Sequence, residues 1–125
     1  MPQILLIDDD EFTLTLMRTI LLETGYIVFS TADGPQGIEI FKQRRPDLVI
    51  LDLGLPTMSG LDVLREIRES DSAAKVVVVT GYGSAHSAET AMGLGALDFM
   101  SKPLVPDVFL EKVRTITSDS DGARV

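Results

Sequence analysis

Short apolar runs alternate with amphipathic stretches five times along the chain. The runs are rich in Val, Ile and Leu and show little polar alternation, which is typical of strands buried on both faces of a sheet. They occupy residues 3–8, 26–31, 47–52, 75–80 and 96–101. The pattern therefore predicts five buried strands, each followed by a segment of a different kind.

Helical spacing marks the segments that follow the runs. In the first of them Phe12, Leu16 and Ile20 recur every four residues, and Gly25 follows where a helix C-cap is expected. Residues 35–44 form the second predicted helix. The apolar stripes of the other three predicted helices are Leu61, Leu64 and Ile67, then Ala88, Ala91 and Met92, and finally Val105, Phe109, Val113 and Ile116.

This alternation predicts an α/β fold in which a parallel sheet carries helices on both faces, joined by right-handed crossovers. In the flavodoxin-like (βα)5 arrangement it is a three-layer sandwich whose central five-stranded parallel sheet has the order 2-1-3-4-5. Ligands of such open sheets bind outside the carboxyl ends of the strands. Residues that carry chemistry are therefore expected where the strands end.

Composition narrows the classes of protein to consider. With 125 residues, 45% of them hydrophobic, the chain is long enough for one domain with a real core. The net charge of -8 argues against nucleic acid as a direct partner. No apolar run approaches the ~18 residues that membrane insertion requires. The absence of cysteine excludes disulfides and thiolate metal sites, and it fits the expected cytoplasmic location.

Carboxylates stand at the ends of two predicted strands. Asp8 and Asp9 follow the first strand and Asp52 ends the third, which is its neighbour in the predicted order. Three close carboxylates do not all stay ionised unless a cation joins them, and Mg²⁺ is the ordinary partner of such an oxygen cluster. The alternative is a solvated turn that caps the first helix, and Asp10 fits that role.

Two more strand ends supply groups that suit phosphoryl transfer. A carboxylate at Asp52 is a plausible nucleophile toward phosphorus, and positioning with charge neutralisation supplies most of that catalysis. Lys102 follows the fifth strand, and its bond to Pro103 is a candidate cis peptide. Thr80 ends the fourth strand and offers a hydroxyl donor. Taken singly, Thr80 and Lys102 are more readily explained as structural residues, but the coincidence of four strand ends favours a shared site.

Taken together, four segments resemble the receiver domain of two-component response regulators, the CheY-like superfamily. The likeness covers residues 3 to about 117, so residues 1–117 are expected to form the receiver domain and 118–125 a polar tail or the start of a linker. The segments, in order, are LLIDDDE, PDLVILDLGLPTMSGLDVLREIR, VVVVTGYGS and GALDFMSKPL.

The resemblance implies a role for individual residues. Asp52 matches the phosphoacceptor, and Thr80 and Lys102 match the residues that bind the phosphoryl oxygens. Thr80 is also a switch residue together with Phe99, which matches the aromatic switch position. The implied ligands of the Mg²⁺ cofactor are Asp8, Asp9, Asp52 and the backbone carbonyl of Gly54.

The resemblance also implies partners. The phosphoryl donor is a sensor histidine kinase or a histidine phosphotransfer protein, and the recipient of the signal is an output domain or effector protein. A homodimer through the fourth helix, fifth strand and fifth helix is a further expectation, and kinase specificity is expected on the first helix and the loop before the fifth. Such a domain is not a conventional enzyme, although it assists its own phosphorylation and dephosphorylation.

Three residues stand apart from the family pattern or lack an assigned role. Gly54 has no side chain where many relatives carry a bulkier residue, and this is expected to open the phosphoryl group to water. Tyr82 is placed to cover part of that opening. His86, the sole histidine, is expected to be a surface residue at the start of the fourth helix.

Competing functions fit the sequence less well. A haloacid-dehalogenase-like phosphatase would use the Asp-x-Asp element within DDDEF, but Phe12 is too large for its pattern and neither a later acidic pair nor a cap insertion is found. A flavodoxin-type flavin carrier needs a hydroxyl- and Gly-rich phosphate loop after the first strand, where this chain has carboxylates. A P-loop is excluded because the G-x-x-x-x-G-K-[ST] pattern is absent.

Overall fold

The computed structural model describes residues 1–81 and 85–122, without the side chains of residues 85, 86 and 119–122. Five parallel strands form one sheet in the order β2-β1-β3-β4-β5, with the helices between them along the chain. The flavodoxin-like fold predicted from the sequence is confirmed. The elements in chain order are β1 Gln3–Ile7, α1 Glu11–Glu23, β2 Ile27–Thr31, α2 Gly34–Arg44, β3 Leu48–Asp52, α3 Gly60–Ser70, β4 Val76–Thr80, α4 Ala85–Gly93, β5 Asp98–Ser101 and α5 Pro106–Gly122.

Strand register brings the predicted strand ends to one edge of the sheet. Ile7 pairs with Leu51 across β1 and β3, so the carboxylates after them lie side by side. Thr80 pairs with Ser101 across β4 and β5, which puts the following lysine at the same edge. Because all the strands are parallel, their carboxyl ends converge here.

The core lies in two layers, one on each face of the sheet. Every residue of β3 and β4 is buried, as are the last four of β1, which confirms the prediction of two-sided burial for the central strands. The edge strands β2 and β5 differ, because only one residue of each is buried. An edge strand has a neighbour on one side only, so its helices cover it less completely.

The buried face of α1 is not the predicted one. Thr13, Met17 and Leu21 are buried, whereas Phe12 is 76% exposed. Leu16 and Ile20 of the predicted stripe are half-buried. Both sets have the same spacing, and they differ by a rotation of one residue about the helix axis. The segment carries enough apolar residues to satisfy either rotation, so periodicity alone chose the wrong one.

In two other predicted apolar stripes, one residue at the end of the stripe is exposed instead of buried. Met92 is 41% exposed on α4 and Val105 is 58% exposed just before α5. The buried face of α5 consists of Phe109, Val113 and Ile116, as predicted.

Helix α5 continues beyond the point where the sequence pattern ended it. It runs over Pro106–Gly122, so residues 118–122, predicted as a polar tail or linker, are helical. The domain boundary near residue 117 stays a prediction. None of the helices in the described part of the chain is both long and apolar enough to cross a bilayer.

Gly60 allows α3 to begin directly against the end of β3. A Cβ atom at this position would lie 2.4 Å from the Cα of Leu53 and 2.6 Å from the carbonyl oxygen of Asp52. The Gly60 N–H donates to the carbonyl of Leu53 at 3.2 Å. A residue without a side chain is therefore needed to close the loop that follows Asp52.

Candidate functional site

Asp8 is a buried carboxylate at the end of β1. One of its oxygens, Oδ1, accepts a hydrogen bond from the Asp10 N–H at 2.9 Å, and it lies 3.2 Å from the ammonium nitrogen of Lys102. The other oxygen, Oδ2, is buried with no hydrogen-bond partner among the described residues. Burial, reinforced by the negative charge of Asp52, raises the pKa of Asp8 from 3.8 to about 6.

Asp52 is held by two donors at the end of β3. Its Oδ1 accepts from the Gly54 N–H at 3.0 Å, and its Oδ2 lies 3.2 Å from Lys102 Nζ. The side chain is 7% exposed, so most of its surface is covered. These two contacts fix the orientation of the Asp52 carboxylate. Asp52 also lines an open cavity.

Lys102 joins the two buried carboxylates. It follows β5, and the Lys102–Pro103 bond is cis, as the sequence analysis suggested. Although burial alone would lower the pKa of Lys102, the negative charges of Asp8 and Asp52 raise it above the ordinary value. The lysine therefore stays protonated and partly neutralises the pair.

Asp9 completes a group of three carboxylates that could hold a metal ion. One oxygen from each of Asp8, Asp9 and Asp52 lies within 4.8 Å of the others, and Asp9 is exposed. The buried, unpartnered Oδ2 of Asp8 is the kind of atom that a cation would satisfy. Carboxylate oxygens are the ligands that Mg²⁺ prefers, so the residues present fit that ion.

Gly54 lies beside this group. A Cβ atom there would lie 3.6 Å from Asp52 Oδ1, which is an ordinary contact. The available space therefore does not require a glycine at this position. Its backbone N–H is used by Asp52, and the role of its carbonyl as a metal ligand stays a prediction.

Asp10 is a helix cap, which was the alternative considered for this acidic run. Its side chain accepts from the backbone N–H of Thr13 at 3.3 Å and also from the Thr13 hydroxyl. The hydrogen bond from the hydroxyl lowers the pKa of Asp10. The three consecutive aspartates therefore have different environments, because successive side chains point in different directions.

Thr80 and Phe99 lie on neighbouring strands. Thr80 is buried, and its hydroxyl donates to the carbonyl of Met100 in β5 over a long 3.4 Å. Phe99, which precedes Met100, is 43% exposed. The hydroxyl therefore contacts the strand that carries the aromatic ring, through a weak hydrogen bond.

Among the residues that the structure describes, two cavities open beside Lys102. One, of about 400 Å³, reaches Asp52 and has a polar lining made of Asp9, Asp52, Leu53, Gly54, Gly81, Ser87 and Lys102. The other, of about 370 Å³, has a more apolar lining that includes Phe12, Leu16, Pro103 and Leu104.

Ser87 is a cavity residue that the sequence analysis missed. It lies in the first turn of α4, among several small and polar residues, and no spacing in the sequence singles it out. The predictions made for Tyr82 and for the side chain of His86 lie outside what the structure describes.

Comparison with known proteins identifies the family of the chain. The profile of a family described as the response regulator receiver domain matches residues 4–114. This chain belongs to that family. The Bacillus subtilis protein CcdB is 37% identical over 117 residues, 93% of this chain and 98% of that protein. The chemotaxis protein CheY of the same organism is 34% identical over 112 residues, 89% of this chain and 93% of that protein.

A solved structure extends the likeness to three dimensions. The CheY-like receiver domain protein from Methanospirillum hungatei superposes with a TM-score of 0.90 at 28% identity, covering 98% of each chain. The chain is therefore a receiver domain of two-component signalling, a family in which an aspartate receives a phosphoryl group.

Proposed function

We propose that Asp52 accepts a phosphoryl group from a phosphohistidine of a sensor histidine kinase or a histidine phosphotransfer protein, with Mg²⁺ as cofactor. The observation that carries the proposal is the position of Lys102 Nζ, which lies 3.2 Å from a carboxylate oxygen of both Asp8 and Asp52 at the carboxyl edge of the sheet. Burying two carboxylates beside one lysine costs stability, and charged groups held at such a cost are typical of functional sites.

The transfer forms one bond and breaks one. An oxygen of Asp52 attacks phosphorus, the phosphorus–nitrogen bond of the donor breaks, and the imidazole that leaves takes up a proton. Asp8, Asp9, Asp52 and the Gly54 carbonyl would hold Mg²⁺. When bound, the ion supplies positive charge that offsets the phosphoryl oxygens and the carboxylates. Lys102 supplies a second positive charge and would turn from the free carboxylates to a phosphoryl oxygen.

Thr80 connects the phosphoryl group to a surface. Within the described residues its hydroxyl makes one hydrogen bond, a long one, so it can exchange the Met100 carbonyl for a phosphoryl oxygen. Inward movement of Thr80 leaves volume that Phe99, now 43% exposed, can occupy. We assign Thr80 and Phe99 as the switch residues on this basis.

The phosphodonor is expected to dock on the apolar side of Lys102. Phe12 is 76% exposed, although a large aromatic ring on α1 would ordinarily be covered. Leu16, Pro103 and Leu104 line the adjoining cavity. This surface lies on α1 and the loop before α5, where the sequence analysis expected kinase specificity.

The output surface is expected on α4, β5 and α5. Large exposed apolar side chains on these elements and their loops support an effector contact or a homodimer there: Met92, Leu97, Phe99, Val105 and Val108. Some curated relatives named as transcriptional regulators are about twice as long, since the chain covers 47% to 52% of them. In those proteins there is room for a further domain beside the receiver.

Incubation with acetyl phosphate and Mg²⁺ tests the acceptor. The protein should retain one acid-stable, base-labile phosphoryl group, and Asp52→Asn should retain none. Asp33→Asn is a matched control, because Asp33 follows β2 at the same edge of the sheet and caps α2. Repeated turnover of the donor without retention would favour the phosphatase alternative instead.

A further inference from the structure

Ser87 faces the same cavity as the proposed acceptor. It belongs to the first turn of α4 (Ala85–Gly93), whereas Asp52 ends β3, so two separate elements form the walls of this opening. The cavity, at about 400 Å³, has room for a phosphoryl group and several water molecules. Ser87 thus belongs to the surroundings of any group attached to Asp52.

The lining leaves one polar side chain without a role. Among the described residues that line the cavity, Leu53 is apolar and Gly54 and Gly81 have no side chain, which leaves four polar residues. In the proposed function Asp52 carries the phosphoryl group, Asp9 holds the metal, and Lys102 binds a phosphoryl oxygen. The remaining hydroxyl is that of Ser87.

The described residues leave an aspartyl phosphate in this cavity exposed to water. Gly54 contributes no side chain to shield it, and a Cβ atom could be accommodated there, so the opening is a property of this chain's sequence. An ordered water molecule in a protein needs about two to four polar partners. A water near phosphorus can find one of them in the Ser87 hydroxyl.

We propose that Ser87 is a positioning residue for the water that hydrolyses the aspartyl phosphate. The inference rests on the proposed function of Asp52. In the reaction the water oxygen bonds to phosphorus and the bond between phosphorus and the Asp52 oxygen breaks. Asp52 returns to a carboxylate, and both protons of the water end on inorganic phosphate. Because phosphoryl transfer passes through a loose transition state, orienting the water matters more than deprotonating it.

Loss of phosphoryl from purified, phosphorylated protein tests this role. The protein is loaded with acetyl phosphate and Mg²⁺, the donor is removed, and the release of inorganic phosphate is followed in time. Ser87→Ala should slow the release about fivefold, the effect of one neutral hydrogen bond on a rate. It should leave the rate of loading unchanged. Ser87→Thr, which keeps the hydroxyl, should release phosphate at close to the wild-type rate.

Glu89→Ala is the matched control, because Glu89 is exposed on the same helix and is not part of the cavity lining. It should change neither rate. An unchanged or faster release in Ser87→Ala would overturn the inference and leave Asp52 as acceptor. Equal slowing of loading and release would also overturn it, because the residue would then shape the cavity rather than hold water. A wild-type protein that takes up no phosphoryl group would overturn the proposed function and this inference together.

Discussion

The ammonium nitrogen of Lys102 lies 3.2 Å from Oδ2 of Asp52, on a strand 50 positions earlier in the chain. The same nitrogen lies 3.2 Å from Oδ1 of Asp8. Before any phosphoryl group or metal arrives, the lysine is therefore the positive charge that makes two buried carboxylates tolerable. This relationship leads to the first prediction.

Removing Lys102 should destabilise the metal-free protein. Lys102→Ala leaves Asp8 and Asp52 facing each other without a counter-charge, and we expect a loss of about 1–3 kcal/mol in the free energy of unfolding. The loss is limited because Asp8 can take up a proton. Lys112→Ala is the control, since its partner Asp98 is 41% exposed, far more than Asp8 or Asp52, and exposed pairs contribute about 0–1 kcal/mol. Urea unfolding of both variants in the presence of a chelator tests this prediction. Equal losses in the free energy of unfolding would contradict it.

The raised pKa of Asp8 predicts a pH dependence of stability in the metal-free protein. Its folded pKa of about 6 exceeds the ordinary 3.8, so the folded state holds a proton that the unfolded state has lost between these values. The contribution of Asp8 to stability therefore falls as pH rises from about 4 to 6 and stays low above that.

Asp8→Asn isolates this contribution, because asparagine imitates the protonated carboxyl. The variant should be more stable than wild type, and its advantage should be larger at pH 7 than at pH 5, by on the order of 1 kcal/mol. Urea titrations at the two pH values give the comparison. An advantage that is the same at both pH values would show that Asp8 does not titrate in this range.

The metal site predicts a difference between two adjacent aspartates. Mg²⁺ should raise the melting temperature of the wild type, because it binds the folded state only. Asp9→Ala should lose that increase and, without metal, hold or gain stability, since one of three mutually repelling charges is gone.

Asp10→Ala is the matched control for the metal prediction. It removes the cap of α1 and should lower the free energy of unfolding, yet it should keep the response to Mg²⁺. If Mg²⁺ raises the melting temperature of wild type and Asp9→Ala equally, the ion binds elsewhere.

The switch predicts that Thr80 and Phe99 act after phosphorylation. Thr80→Ala should accept phosphoryl yet change little at α4, β5 and α5, because no hydroxyl moves toward the phosphoryl group. Phe99→Ala should accept phosphoryl but uncouple it from association through that face. Amide chemical shifts of residues 85–116, with and without a beryllofluoride mimic, report the change in each variant. Wild-type shifts confined to the loops around Asp52, Thr80 and Lys102 would rule out this switch.

Much of the site follows from the sequence because parallel strands end at one edge. Once the runs before Asp8, Asp52 and Lys102 are recognised as strands, the topology brings these residues together regardless of loop detail. Asp10 could be assigned as a cap for a similar reason, since capping depends on residues a few positions away.

Other features depend on contacts that the sequence does not display. The predicted rotation of α1 was wrong by one residue, because Met17 and Leu21 have the same spacing as Leu16 and Ile20 and only packing distinguishes the two faces. Ser87 was missed because only the fold brings it to the cavity that Asp52 also lines. Exposure of the edge strands likewise depends on how far the helices extend over them.

The central claim is that Asp52 is the acceptor, and locating the phosphoryl group on the chain tests it most directly. Protein loaded with acetyl phosphate and Mg²⁺ is treated with borohydride, which reduces an aspartyl phosphate to homoserine, and its peptides are analysed by mass spectrometry. The account predicts homoserine at position 52 alone, and none in protein incubated without the donor. Homoserine at position 8, 9 or 33, with aspartate intact at 52, would contradict it.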